Sequence, residues 1–372
     1  MRSAKVGAGG MRRPDPWRGP AAALCAALGI VLSGCGAQGP PPPPEESIQV
    51  PGQGTVVIDV EAPRSVAGPV LKLFESQSGI KVEARYLDAG REDVLSTVKG
   101  DVEAGRVDLF WGTSPLPAIA LARAGLAVPF RPLGARPVPS QYRDRGFRWI
   151  GFGVDPRVII YNNERVERER APTSILDLAR PPWGGKAALA RIDRGSAAFH
   201  AAALFALWGP ERARAFFESV RTNGNRVVED DGAVRRAVAA GEALWGLIDL
   251  DQAIGAKREA DPIHIFFPDR MSQGAVVTPH VAVLLAGAPH RDQARGLFAY
   301  LFDTEAAWQL GMNDRALITL IPNVPKPDWV PALGAFNVTQ LDNDAVADAF
   351  RANLPYFLSW GPSASPGPPT AR

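Results

Sequence analysis

Short apolar runs alternate with apolar residues at helical spacing along most of the chain, and this alternation constrains the fold more than any other feature. Residues 55–60 (TVVIDV) form a typical buried-strand run. Val66 and Phe74 then recur at helical spacing up to Gly79, which predicts a helix end, and residues 80–86 alternate as a second strand. The pattern continues to about residue 310. It predicts an α/β fold with mostly parallel sheets and flanking helices.

The middle of the chain predicts a division into two lobes. Residues 149–154 and 157–162 read as two successive strands bridged by Asp155-Pro156, and residues 276–285 form a long apolar strand. We expect these strands to act as hinges between the lobes, with a ligand in the cleft. The predicted boundaries are 55–150 plus 276–345 for lobe 1, 151–275 for lobe 2, and 346–372 for a C-terminal extension and tail.

The N-terminal segment has the organisation of a bacterial lipoprotein signal. Arg12, Arg13 and Arg18 precede an apolar run over residues 21–32, and Leu-Ser-Gly leads directly to Cys35. Such a leader is too short to span a bilayer stably and is typically removed. The pattern predicts a signal peptide over 1–34, a lipid anchor on Cys35 that holds the protein to a membrane outside the cytoplasm, and a Pro-rich tether over 35–54.

Composition excludes several classes of function. The net charge of +2 includes a basic leader, and residues 35–372 carry a net charge of −2 with no basic block, so nucleic acid is not an expected partner. Beyond Cys35 there is no cysteine for a disulfide, a thiol nucleophile or a metal site. We also find no Ser/His/Asp motif, no Gly-rich phosphate loop and no metal-spaced histidine pair, which argues against an enzyme.

Asp249 and Asp251 are the first candidate ligand-binding residues. They follow an apolar strand over residues 243–248, and residues i and i+2 of a strand share a face. Two adjacent carboxylates repel each other unless a cation lies between them or one is protonated, so the pair predicts a site for a metal ion or an amine. The alternative is a helix N-cap followed by an acid in the first helical turn.

Three further candidates follow the first and third predicted strands. Glu61 would supply a carboxylate from the opposite lobe, and the alternative is a loop acid near a helix start. Thr113 and Ser114 would bind a ligand at the carboxyl end of VDLFW, or would only cap the helix that begins near Pro115.

Five blocks of sequence, in order, resemble bacterial extracellular solute-binding proteins of ABC importers, nearest the ferric-iron-binding branch. They lie between about residues 55 and 320 and read TVVIDVEAPRSVAGPVLKLFESQSGIKVEARY, VDLFWGTSPLPAIALARAGLAVPF, GFGVDPRVIIYNN, PPWGGKAALARIDRGSAAFHAAAL and EALWGLIDLDQA. The resemblance implies a two-lobed type II periplasmic-binding fold that closes on its ligand. It also implies a monomer that hands a small solute to a membrane permease.

The resemblance does not extend to the ferric ligands. In an ungapped alignment, the family's His, Glu and Tyr-Tyr positions fall on Pro63, Thr113, Leu250 and Asp251. The family also holds an anion at a Ser-Gly-Ala turn, which corresponds here to Ser196 and Ala197 at a predicted helix start, with Arg157 as an additional positive charge. The alternatives are an ordinary Ser cap and a surface arginine.

These patterns together predict an exported binding protein without catalytic activity. The expected cargo is iron(III) or another metal ion with a synergistic anion, and no resident cofactor is expected. An exported sensor, or a binder of a small organic solute such as a phosphonate or a polyamine, is the alternative.

Overall fold

Strands and helices alternate along the chain, as the apolar pattern predicts. A computed structural model describes residues 41–50, 52–88 and 93–361. In this part of the chain the strands are β1 (Thr55–Val60), β2 (Lys81–Tyr86), β3 (Leu109–Gly112), β4 (Ile150–Asn162), β5 (Ala187–Ala190), β6 (Arg226–Val228), β7 (Trp245–Asp249), β8 (Ile263–Phe266), β9 (Val277–Leu284) and β10 (Ile318–Thr319). The α-helices are α1 (Arg64–Ser78), α2 (Val94–Glu103), α3 (Pro115–Arg123), α4 (Gly195–Trp208), α5 (Pro210–Thr222), α6 (Asp231–Ala239), α7 (Leu250–Arg258), α8 (Arg291–Tyr300), α9 (Thr304–Gly311) and α10 (Asn343–Leu358).

The strands pair in the order β2-β1-β3-β9-β4-β7-β5-β6, and β8 and β10 also pair with β4. β1 is parallel to β2 and β3, and β5 is parallel to β6 and β7, whereas every pair that includes β9 or β4 is antiparallel. The predicted α/β architecture is confirmed, with a mixed sheet. We call β1–β3, β9, β10 and the first half of β4 the first lobe, and β5–β8 with the second half of β4 the second lobe.

β4 is one continuous strand, so the prediction of two successive strands bridged by Asp155-Pro156 is wrong. The strand pairs with β9 as far as Pro156, which lies opposite Val277, and with β7 from Arg157 onward. Proline has no N–H to donate, and a strand tolerates it best where regular pairing changes. Pro156 therefore marks the point at which the strand passes from the first lobe to the second.

Both ends of the described chain pack on the lobes. Glu45 forms ion pairs with Arg131 and Arg136, each at 2.7 Å, so this part of the predicted tether is bound to the first lobe rather than free in solvent. α10 packs against α4 and α3, and the expected boundary between residues 345 and 346 falls inside this helix.

The predicted leader, Cys35 and the tail over 363–372 lie outside the described residues. Within the described ranges, no helix is both long enough and apolar enough to cross a bilayer. The lipid anchor stays a prediction from the sequence.

Gly246 in β7 provides a test of packing in the second lobe. A Cβ at this position would lie 2.4 Å from Val234 Cγ1 and 2.8 Å from the carbonyl oxygen of Ala188. Because the backbone carbonyl cannot move away cheaply, we expect Gly246→Ala to lower the free energy of unfolding by about 1–3 kcal/mol. Urea denaturation monitored by circular dichroism measures this loss.

Gly100→Ala is the matched control, because a Cβ at this position in α2 would meet nothing within 4 Å. We expect this substitution to stabilise the protein by up to about 1 kcal/mol, since alanine is the better helix former. Equal effects of the two substitutions would contradict the packing at Gly246.

Candidate functional site

The point where β4 changes neighbours brings charged residues of both lobes together. Asp155 lies opposite Thr278 in β9, and Arg157 lies opposite Asp249 at the end of β7. Residues directly opposite each other in an antiparallel pair project from the same face of the sheet. Asp155 and Arg157 also share that face because they are two residues apart. The strand therefore presents an acid from the first lobe and a base from the second on one surface.

Arg157 is the centre of a buried hydrogen-bond network. Its side chain is 2% exposed, and Nη1 donates to Oδ1 of Asp249 at 3.0 Å and to the carboxylate of Asp231. Nη1 also lies 3.3 Å from Ser196 Oγ, and Nη2 donates to the carbonyl of Leu247 at 3.0 Å. Burial disfavours the charged guanidinium, but the two carboxylates outweigh burial and raise the pKa of Arg157 above its ordinary value. The arginine therefore stays charged inside the protein.

Asp249 is held from two sides. Arg157 donates to Oδ1, and the hydroxyl of Ser196 in the first turn of α4 donates to Oδ2. Asp249 also occupies the N-cap position of α7, but its side chain makes no capping hydrogen bond there. Its carboxylate is therefore turned toward α4 rather than toward its own helix.

Three carboxylates converge at this place. One oxygen from each of Asp155, Asp249 and Asp251 lies within 4.8 Å of the other two. Asp155 Oδ1 also accepts from the backbone N–H of Asp251 at 3.2 Å. Asp251 lies in the first turn of α7, so the prediction that Asp249 and Asp251 share a strand face is wrong, because β7 ends at Asp249. The helix turn nevertheless keeps both acids in one cluster.

Arg315, between α9 and β10, reaches this cluster from the first lobe. Its Nη2 lies 2.8 Å from Asp251 Oδ2, and this ion pair joins the first lobe to α7 in the second. The site thus contains four carboxyl groups, counting Asp231, and two guanidinium groups. Its formal charge is negative when all six groups are ionised.

All four carboxyl groups have raised pKa values. Burial is the main cause in each case, and neighbouring acids add to it: the charges of Asp251 and Asp249 raise the pKa of Asp155 further. Burial raises the pKa of Asp231 to about 6, against the opposing effect of Arg157. A proton or a bound cation relieves such repulsion. The cluster is therefore chemically suited to bind a cation.

Thr278 and His280 are polar side chains of β9, the strand that pairs with β4 at Asp155. Thr278 is fully buried, and its hydroxyl has no hydrogen-bond partner among the described residues. His280, two residues further along the same strand face, accepts from Trp111 Nε1 at 3.4 Å through Nδ1. Burial, together with the charge of Arg315, lowers the pKa of His280 to about 3. The imidazole is neutral at physiological pH and adds no positive charge to the site.

Glu61, Thr113 and Ser114 lie together at the ends of β1 and β3. Glu61 Oε2 accepts from the backbone N–H of Thr113 at 2.8 Å, and burial raises the pKa of Glu61. Ser114 is buried and caps α3, its hydroxyl accepting from the N–H of Leu116 at 3.3 Å. Ser114 therefore has the capping role that the sequence left open as its alternative.

The remaining positions singled out in the sequence differ in burial. Ala197 and Leu250 are buried, and Pro63 is exposed at the N-cap of α1. The alternative that Arg157 is a surface arginine is wrong, because its side chain is buried where β4 pairs with the end of β7.

Four residues of the site have no signal in the sequence that singles them out. They are Asp155, Asp231, Thr278 and Arg315. The Asp155-Pro156 pair reads only as a connection between two strands, and no local pattern marks the other three.

The fold is two-lobed and of the type II periplasmic-binding class, and charged residues are buried where its lobes meet. The chain belongs to the family described as bacterial extracellular solute-binding protein, whose profile matches residues 121–328. This membership supports ligand capture outside the cytoplasm for an ABC importer, and a role other than catalysis.

Three proteins of known name are similar to this chain in sequence or in structure. The "Fe(3+)-binding periplasmic protein" of Serratia marcescens is 28% identical over 235 residues, which is 61% of this chain and 68% of that protein. Iron-bound HitA from Pseudomonas aeruginosa superimposes with a TM-score of 0.74 at 21% identity, covering 82% of this chain and 99% of that one. AfuA from Actinobacillus pleuropneumoniae, with fructose-6-phosphate bound, has a TM-score of 0.71 at 18% identity, covering 82% and 98%.

The raised pKa of Asp231 predicts how stability depends on pH. Between about pH 4, near which an ordinary aspartate titrates, and pH 6, the folded protein holds a proton that the unfolded chain has released. The contribution of Asp231 to the free energy of unfolding therefore decreases as pH rises through about 6. The melting temperature of metal-free protein should therefore fall between pH 5 and pH 7.5, and we expect Asp231→Asn to make this fall smaller.

Asp230→Asn is the control for this experiment, because Asp230 is the adjacent, exposed N-cap of α6. We expect this variant to keep the pH dependence of the unsubstituted protein. Scanning calorimetry at several pH values provides the measurement. An unchanged pH dependence in Asp231→Asn would contradict the assignment.

Proposed function

We propose that this protein captures a cation between its lobes, outside the cytoplasm, and delivers it to the permease of an ABC importer. The convergence of Asp155, Asp249 and Asp251 supports this proposal most directly. Asp155 belongs to the half of β4 that pairs with the first lobe, whereas the other two acids belong to the second. A cation bound by all three would hold the lobes together.

A metal ion is the first candidate for the cargo. Carboxylate oxygens are hard donors that suit hard cations, and Fe(III) is one of these. Relatives named for iron binding favour iron among such ions. The donor set here lacks the tyrosines and the histidine of the ferric branch, so iron would be coordinated by carboxylates. The buried hydroxyl of Thr278, which lies opposite Asp155, is a further oxygen donor.

An organic amine, such as a polyamine, is the second candidate. The guanidinium groups of Arg157 and Arg315 already contact Asp249 and Asp251, so the cluster accommodates nitrogen cations at hydrogen-bond distance. A sensor that reports such a ligand to a partner would use the same cleft.

Arg315 couples binding to the positions of the lobes. In the described conformation it neutralises Asp251 across the interface between the lobes. A cargo cation that approaches Asp251 competes with this guanidinium. We infer that the arginine limits affinity and keeps the acids from repelling each other when no cargo is bound.

A cation screen tests the proposed function. We expect metal-free protein to melt at higher temperature with its cargo, because a ligand that binds only the folded state stabilises it by mass action. The screen compares Fe(III) nitrilotriacetate, Mn²⁺, Ca²⁺, Zn²⁺, spermidine and putrescine by scanning fluorimetry. If none of them shifts the melting temperature, cation capture is contradicted.

Asp251→Asn tests the acid cluster itself. We expect it to weaken cation binding at least tenfold, measured by isothermal titration calorimetry, because it removes one negative charge from the site. Asp261→Asn is the matched control: Asp261 also pairs with an arginine, Arg235, at 2.8 Å, but lies outside the cluster. Equal losses in the two variants would show that the acid cluster is not the binding site.

We propose further that Cys35 carries the lipid anchor of a monomeric protein. Cys35→Ala is expected to release the protein from the membrane fraction, whereas Cys25→Ala, within the apolar part of the leader, is expected to leave it bound. Immunoblots of membrane and soluble fractions distinguish the two outcomes. Membrane retention of Cys35→Ala would contradict the anchor.

A further inference from the structure

The amino end of α4 and the buried Arg157 together form a place that attracts an anion. α4 is a 14-residue helix that begins at Gly195, with Ser196 in its first turn. The amino end of a helix carries a partial positive charge and unsatisfied N–H groups. Arg157 adds a full charge that is almost completely buried, and the hydroxyl of Ser196 adds a donor. Phosphate or carboxylate ions favour such surroundings.

A carboxylate of the chain itself already lies at this place. Asp249 accepts from Ser196 through Oδ2 and from Arg157 through Oδ1, so both of its oxygens are engaged. Asp231 contacts the same Nη1 of Arg157 and also accepts from the backbone N–H of Asp249 at 2.9 Å. One guanidinium is therefore matched by two internal carboxylates, which leaves no excess positive charge there for an ion from solution.

We propose that Asp249 acts as a built-in anion, so that this protein binds its cation without an external phosphate, carbonate or organic acid. The inference rests on the proposed cation-binding function and specifies the chemical class of the cargo as an unaccompanied cation. The carboxylate that is fixed by Ser196 and Arg157 also belongs to the cluster with Asp155 and Asp251. It therefore supplies the negative charge that a soluble anion would bring.

The charges around Asp249 exclude a second anion. An external phosphate at this place would lie beside Asp231, Asp249 and the other acids of the cluster, which already lie close to one another. Like charges in a buried site repel strongly. By the same argument we do not expect a phosphonate to be the cargo.

Asp249→Ala provides a direct test by chemical rescue. The substitution leaves Ser196 and Arg157 facing a space that a small carboxylate can fill. We expect the melting temperature of this variant to fall, and to rise again in a saturable manner with formate or acetate but not with chloride at equal ionic strength. Formate is also expected to raise the cation affinity of this variant at least tenfold, measured by calorimetry.

Two control variants test whether the effect of formate is specific to the space left by the Asp249 side chain. Asp249→Asn fills the space with a neutral amide, so formate is expected to have no saturable effect on it. Asp261→Ala removes an acid that pairs with Arg235 but does not face the amino end of α4, and it is likewise expected not to respond. Saturable stabilisation of all three variants by formate would overturn the proposal.

The unsubstituted protein gives a test that does not depend on the folding of any variant. We expect metal-free protein to bind no inorganic phosphate in equilibrium dialysis at about 1 mM, a concentration that is ample to fill a specific anion site. We also expect cation affinity to be the same with and without formate. Phosphate binding, or cation binding that requires an added anion, would overturn the proposal.

The outcomes separate this inference from the proposed function. Cation binding that needs an external anion would leave the function intact and remove the built-in anion. Formate rescue of Asp249→Ala in a protein that binds no cation would support the built-in anion and contradict the function.

Discussion

The passage of β4 from one lobe to the other is the constraint on which the site depends. Because the strand is continuous through Pro156, Asp155 and Arg157 lie two residues apart on one face yet pair with strands of different lobes. No loop separates them, so their positions are fixed by backbone hydrogen bonds of both sheets. The end of β7 and the starts of α4, α6 and α7 then supply the residues that surround them.

Charge balance decides what this place can hold. Arginine and aspartate groups that are buried together are costly to remove from water, and they persist only when each finds a partner. Arg157 has two carboxylates and Arg315 has one, which leaves the acids in excess. Proteins of the same fold are described with iron and with a sugar phosphate, so the fold alone does not choose the sign of the ligand. In the function proposed for this chain, the excess of acids makes that choice.

The sequence predicts the elements better than the site. Periodicity of apolar residues marks strands and helices locally, so the predictions for β1, α1 and β2 lie near the actual bounds. Asp155 escapes prediction because a proline next to an aspartate usually indicates a break in a strand, whereas here both residues pair with β9. Asp231 lies 74 positions beyond Arg157 and Arg315 more than twice as far, and no local pattern reports contacts at such separations.

α10 has a mechanical consequence for the opening of the cleft. It contacts the first lobe through Arg123, which pairs with Asp344 and Asp348, and the second lobe through Arg214, which donates to Asn353. A rigid rotation of one lobe preserves only those contacts that lie near its axis. Because α10 contacts both lobes, substitutions on this remote helix would act on ligand affinity through the relative positions of the lobes rather than through any contact with the cargo.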